Sequence, residues 1–419
     1  MSRTALRTAL ALLILATPCT WGASTDLEAP PSSSTSSALT GLHLSANDAK
    51  VLFGPNQECV LEFKPGPPPY LQSSCAINAA PPFPASPPPP PTPVSPSPSP
   101  PPARPLPFVT AYTAVVTTIA GDGTEQELDG IGTSARFTHM GSIWMTTSPD
   151  GQMAYVSSES THKIRQVNLT SGEVSTLVGS SNQHLDGVGS SARLRNPKGL
   201  DVTPDGSALI FCDSDRIRKL EFVTMAVTSF SSATSLSDCW GLKVTPDGTR
   251  AIVTRRRNSG RQVWSVDITQ SSGPKTLLKG NPPFSDPFGL AVTPDGSTIL
   301  VCNTNGMLYR LSLADSSVDE GTYIGWSNEY GGFDIAVTAD GARALITDGS
   351  GGKLHGVYSV DLQTNIVTKM IGDTSSGFAD GTGSEARFSS PAGISLLPDG
   401  RSFVVMDTVN KRLRLVHEP

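Results

Sequence analysis

Charge is scarce in this chain of 419 residues. Asp, Glu, Lys and Arg make up 16% of it, where about 25% is usual for a soluble domain. The little there is leans acidic, with a net charge of -6. That argues against general nucleic-acid binding, which draws on a basic domain or stripe. Long apolar runs are missing too: residues 9–16 (ALALLILA) fall well short of the roughly 20 needed to cross a bilayer. No Cys-x-x-Cys pair and no Cys/His grouping with zinc spacing occurs, so no metal site and no cofactor are indicated. A Gly-x-Ser-x-Gly elbow and a His-Glu-x-x-His motif are absent, which removes two common hydrolase signatures. Aromatic residues are only 6% of the chain, so the places where they gather carry information.

What is present falls into four zones. Residues 1–23 read as a signal peptide, with Arg3 and Arg7 before the apolar run and small residues for cleavage near Gly22 or Ala23; the alternative is an uncleaved anchor. Residues 24–80 are Ser/Thr-rich and contain one short apolar piece with Cys59 and Cys75. Either a Cys59–Cys75 disulfide closes a small loop there, or the segment is disordered with an incidental bridge; an exported chain favours pairing. Residues 81–107 hold 16 prolines in 27 positions, a composition that cannot pack a core and extends as polyproline II at about 3.1 Å per residue. Residues 108–419 form the last zone. The expected location is secreted, in the cell wall or matrix, with no membrane span after signal cleavage.

The last zone repeats. Pro-Asp-Gly recurs at Pro149, Pro204, Pro246, Pro294 and Pro398, and Ala339-Asp340-Gly341 is a sixth copy. These spacings are those of propeller blades. Each copy separates two short apolar runs, and Asp-Gly supplies the positive φ of a tight hairpin. Third and fourth strands follow, as in Ile217-Arg218-Lys219-Leu220 and Val174-Ser175-Thr176-Leu177-Val178. Four antiparallel strands, six times over, predict an all-β fold, a six-bladed β-propeller. The last repeat ends at its third strand, and an orphan strand at residues 115–120 precedes the first repeat. That orphan is expected to complete blade 6 and close the ring, leaving no open sheet edge.

A second motif precedes blades 1, 2 and 6: Asp129-Gly-Ile-Gly-Thr-Ser-Ala-Arg136-Phe137, Asp186-Gly-Val-Gly-Ser-Ser-Ala-Arg193-Leu194 and Asp380-Gly-Thr-Gly-Ser-Glu-Ala-Arg387-Phe388. With Thr117-Thr118-Ile119-Ala120-Gly121 before it and Pro-Asp-Gly after it, the pattern resembles the NHL-repeat family. The match is strong in those three blades and degenerate in blades 3 to 5. The proline blocks mixed with Ser-Pro resemble the hydroxyproline-rich stalks of plant and green-algal cell-wall glycoproteins. The NHL resemblance implies a propeller, and it admits enzymes: some relatives are zinc lyases of peptides, and related propellers are calcium-dependent lactonases. In the motif loops an acidic rim for a cation is conceivable, but threefold sameness favours a scaffold role, with Arg136, Arg193 and Arg387 pairing acids or capping carbonyls between blades.

Departures from the repeat are the more informative positions. One face of the ring carries the Pro-Asp-Gly turns, and the other, here the top, carries the loops between blades. At the start of each innermost strand, near the top, Gly199, Gly241, Gly289 and Gly393 are replaced in two blades by Trp144 and Asp334. Trp240, Phe288 and Phe333 precede these positions in blades 3 to 5, and Trp326 and Tyr330 lie in the loop before blade 5. Arg255, Arg256, Arg257 and Arg261 lie beside them. The functional reading is an aromatic and cationic platform for a glycan or extracellular protein; the structural one is packing between blades with a solvated Arg loop. Cys212 and Cys239 come to the top of adjacent blades and are expected to bridge, with Cys302 competing for Cys239 or buried and unpaired. Asn168-Leu169-Thr170 is a glycosylation sequon near the opposite face. The expected function is a binding or scaffold module; the alternative is an extracellular metal-dependent propeller enzyme, a peptide lyase or lactonase, using Asp334 and His139.

Overall fold

The computed structural model describes residues 42–44, 48–52, 57–64, 70–77, 114–138, 144–233, 236, 238–256, 260–280, 283–319, 321–324, 334–349 and 355–418. The expected signal peptide and proline-rich spacer lie outside them. The chain divides into two units, one ending at Ser99 and one beginning at Pro100. In the first, Leu42–Leu44, Asp48–Leu52, Gln57–Lys64 and Tyr70–Ile77 form a four-stranded antiparallel meander. Cys59 stands directly opposite Cys75 in its register. The short apolar piece of the Ser/Thr-rich zone is thus part of a small sheet.

The second unit is all-β, six antiparallel sheets in chain order. Blade 3 shows the plan, running outward from the axis: Cys239–Val244, Arg250–Arg255, Gln262–Asp267 and Lys275–Lys279. In blade 2 the four strands are Pro197–Val202, Ala208–Asp213, Arg216–Glu221 and Ala226–Ser229. The innermost strands of blades 4, 5 and 6 are Pro287–Val292, Ile335–Val337 and Pro391–Leu396. The second strand of a blade is buried nearly throughout, as in Ala208–Asp213, because both its faces pack on neighbouring blades. That is why these strands read as continuous apolar runs rather than alternating ones.

Two features set the ring. The glycines of the hairpin turns adopt φ near +70°, and all but Gly400, which follows the blade with Ala339 in its turn, abut the turn proline of the blade before. A Cβ added to Gly151 would lie 2.4 Å from Pro398, which places blade 6 beside blade 1. At the other end of the innermost strands the backbones nearly touch. A Cβ on Gly199 would sit 2.2 Å from the Trp240 carbonyl oxygen of the next blade, and one on Gly241 2.7 Å from that of Phe288.

Closure follows the expected three-plus-one pattern. Val115–Ala120 pairs with Arg412–His417, the third strand of blade 6. The Asp-Gly-x-Gly loops lock it. In blade 2 the buried Arg218 guanidinium donates to Asp186 (2.9 Å), to Asp213 (2.7 Å) and to the Leu185 and Arg193 carbonyls (2.8 and 2.7 Å). Asp186 also accepts from the Ser229 N–H and hydroxyl on the outer strand. Arg165, Asp129 and Thr176 repeat this clamp in blade 1. In blade 6 it is Arg414, Asp380 and Thr118, and Thr118 belongs to the orphan strand. One side-chain constellation therefore joins the two ends of the domain.

The motif arginines play a lesser part than expected. They give the clamp their main-chain carbonyls, while their side chains pair locally, Arg136 with Asp122 and Gln126 and Arg193 with Gln183. Replacing Arg414 with Met leaves the fully buried Asp407 carboxylate without its cation. That is expected to cost about 3–5 kcal/mol, whereas Arg387→Ala, on an exposed side chain, should cost less than about 1 kcal/mol. Urea unfolding of both full-length variants gives the ranking; the reverse order would rule out the clamp.

Candidate functional site

At the top of blades 2 to 4 the innermost strands begin with bulky side chains, and loops bring cations against them. Lys198 opens the inner strand of blade 2, Trp240 that of blade 3 and Phe288 that of blade 4. Lys198 Nζ lies 3.9 Å from the centroid of the Trp240 ring, and the Arg256 guanidinium carbon 4.3 Å from it. The same guanidinium stands 3.5 Å from the Phe288 centroid, and the two rings meet edge to face at 5.1 Å. Cation, ring, cation, ring thus form a ladder across three blades, each contact drawing on the negative face of an aromatic ring.

Carboxylates close both ends. Glu159 pairs with Lys198 at 3.4 Å, and Asp286 pairs with Arg256. Burial pushes the Lys198 amine below its ordinary pKa, with Glu159 opposing. The Trp240 indole N–H is buried and meets no acceptor among the described residues. The Cys212–Cys239 disulfide, with Cα atoms 5.8 Å apart, ties blade 2 to blade 3 immediately before Trp240. Cys302 is free and buried.

Of the residues singled out from sequence, the structure brings together Trp240, Phe288 and Arg256. Trp144 is buried in the same apolar cluster as Phe288, with Leu200 and Phe211, and Trp240 packs against that cluster; Arg255 turns to the flank of blade 3, where it donates to Gln262. Phe288 and Trp144 are 5% and 3% exposed, so neither offers an open stacking face, and the half-buried Trp240 is the aromatic of the three nearest to solvent. Arg257, Trp326, Tyr330, Phe333 and His139 lie outside the described residues. Asn168 ends the third strand of blade 1, its side-chain oxygen accepting from the Thr170 and Ser171 N–H groups.

Lys198 was missed because a single lysine at the head of a strand carries no pattern. The other oversight is axial. The sequence singles out Asp334 on the inner strand of blade 5, and Asp201 and Lys243 act on it there. Asp201 accepts from the Thr146 hydroxyl at 2.7 Å and the Val244 N–H at 2.9 Å, and stands 3.7 Å from Lys243 Nζ. Thr146, Asp201 and Lys243 each sit two residues beyond the start position that is Gly in four blades, so the repeat itself could have found them. Asp334, in place of that Gly, spends its oxygens on the Ile335 N–H (2.9 Å) and the Ile394 N–H of blade 6 (3.1 Å). It ties two blades rather than reaching for a ligand. Among the described residues no three His, Cys, Asp or Glu come together as a metal site.

No family model matches the chain, and no curated protein matches it. Solved structures do. An auxiliary nutrient binding protein from Bacteroides ovatus is 14% identical, with a TM-score of 0.57, covering 88% of this chain and 86% of that one. Another from Bacteroides thetaiotaomicron is 18% identical, with a TM-score of 0.56, covering 73% of this chain and 76% of that one. A putative phosphatase from the same species gives 12% and 0.56, over 88% and 86%. At these identities the likeness shows the propeller fold and nothing finer.

The axial charges make a pH prediction. Asp201 and Lys243 balance, leaving Asp334 as the extra buried charge, and burial raises its pKa to about 6, with Lys243 opposing. A carboxyl that holds its proton more tightly folded than unfolded costs stability as pH rises from about 4 to about 6, and that cost persists above. Over about two units this amounts to at most about 3 kcal/mol. Burial raises Asp407 to about 6 as well, so wild type should melt at a higher temperature at pH 5 than at pH 7.5, and Asp334→Asn should reduce the difference without removing it. Equal pH dependence in the two proteins would contradict the assignment.

Proposed function

We propose that this protein is a secreted or wall-associated binding module that presents the top of its propeller to a glycan or an extracellular protein. In this reading residues 1–23 direct export, residues 81–107 form a stiff spacer of the hydroxyproline-rich kind, and residues 108–419 are an NHL-type propeller. The observation that carries it is the ladder at the top of blades 2 to 4. Two cations, each paired with a carboxylate, are held against the half-buried ring of Trp240. Such a surface presents an aromatic ring backed by positive charge to a polar partner. The description of two similar propellers as nutrient-binding agrees with a binding role. A glycan on Asn168, beside the turn face, would leave the top free.

A glycan and peptide array probed with the full-length protein tests the proposal. Wild type is expected to give defined hits, and Trp240→Ala, checked for folding by its melting curve, to weaken them at least about tenfold, a loss of about 1.4 kcal/mol. Hits that survive the substitution unchanged would remove Trp240 and its ladder from the binding surface.

A further inference from the structure

The first unit is a sheet with two unlike faces. Its strands Leu42–Leu44, Asp48–Leu52, Gln57–Lys64 and Tyr70–Ile77 pair in chain order. Directly paired residues, and residues two apart along a strand, share a face. The register puts Leu42, Val51, Cys59 and Cys75 in one row, and Leu44, Ala49, Leu61 and Ser73 in the next row of the same face. That face carries no charge, and Gln57 and Ser73 are its polar residues. Every charged residue of the strands (Asp48, Lys50, Glu58, Glu62 and Lys64) falls on the other face.

A single layer of sheet has to bury its apolar face against another element. Among the described residues of this unit there is neither a helix nor a second sheet to cover it. The rest of the unit's sequence offers little for a second layer. Between residue 24 and Ser99 the stretches outside the strands are rich in Ser, Thr and Pro, and no two large apolar residues follow one another there. The proline run that continues beyond Ser99 extends as polyproline II and forms no packed layer. The cover has to come from outside this unit.

We propose that this face is the contact between two copies of the chain, which pack their small sheets together about a twofold axis into one two-layer core. Three considerations select a second copy. Homodimer contacts are the more apolar class of interface, and this face has no charge on it. A different protein is selected by complementary charge, which the strands present only on the opposite face. Two identical sheets related by a twofold axis meet in a self-complementary contact, the aligned face-to-face packing of a sandwich. The inference goes beyond the binding-module reading and does not depend on the propeller's ligand. A dimer would carry two propellers, so that two weak sites engage one surface together.

Sedimentation velocity of the full-length protein tests this. Four strands about 4.8 Å apart make a face only about 19 Å across. That is small among stable interfaces, so association is expected in the micromolar range. Wild type should pass from monomer to dimer between about 1 and about 100 µM. Ser73→Lys and Ser74→Lys form a matched pair of neighbours on opposite faces, and neither removes an apolar side chain. Ser73→Lys would bury an unpaired charge in the contact and should weaken association at least about tenfold. Ser74→Lys should leave association unchanged, and both variants should keep the wild-type melting curve. A wild type that stays monomeric up to about 100 µM would overturn the proposal and leave the propeller or another protein as the cover. Full association in Ser73→Lys, or equal weakening by Ser74→Lys, would overturn it as well, by placing the contact elsewhere.

Discussion

The propeller depends on one constraint: a ring of sheets has to be closed by something other than the chain. The chain supplies this with hydrogen bonds from residues 115–120 to the last strand, and with the clamp of Arg414, Asp380 and Thr118. The clamp works because the arginine is fully buried and all its partners are preplaced. A guanidinium at 0% exposure is tolerable because its charge is paired and its donors are taken up, as those of Arg414 are by Asp380, Asp407 and two carbonyls. Here a short loop answers with one carboxylate and two carbonyls, and blades 1, 2 and 6 use the same device. These three blades are consecutive around the ring, so the closure point lies inside a rigid arc.

Blades 3 to 5 give the clamp up. At the position of Arg165, Arg218 and Arg414 they carry Trp264, Tyr309 and Tyr358. The Asp-Gly-x-Gly loop that would have answered an arginine is gone as well. Among the described residues the sheets have five strands in blades 1, 2 and 6 and four in blades 3, 4 and 5. In blade 3 the aromatic that replaces the arginine is half-buried and shares the Gln262 side-chain oxygen with Arg255.

Much of this was legible in the sequence because it repeats. Pro-Asp-Gly marked each hairpin, the missing fourth strand of the last repeat marked the closure, and Cys212 and Cys239 stood at the tops of neighbouring blades. The clamp was not legible in the same way. The motif draws the eye to Arg136, Arg193 and Arg387, which are conspicuous in the loop, while the arginines that matter sit unmarked in third strands such as Lys163–Asn168. The candidate site was legible only in part. Counting aromatics found Trp240 and Phe288, but it could not tell a ring facing solvent from one sandwiched by cations. Lys198 and Lys243 come from blades 2 and 3 to meet residues of other blades, a relation visible only once the ring is closed.

The distribution of charge sharpens the functional argument. In most of the domain, acids and bases are used up by folding: turn aspartates accept from the residues that follow them, and buried arginines are caged. Blade 3 departs from this economy, with eight basic residues in a stretch of 41, in a chain whose net charge has the opposite sign. Arg256 is absorbed into the ladder under Trp240, and Lys243 into the axial pair with Asp201. Arg255 and Lys275 stay half-buried on the flank of blade 3, where Arg255 shares the Gln262 amide oxygen with the Trp264 indole. Basic residues in blade 3 are thus spread over three environments, the axis, the top and the flank, instead of repeating the caged arginine of blades 1, 2 and 6.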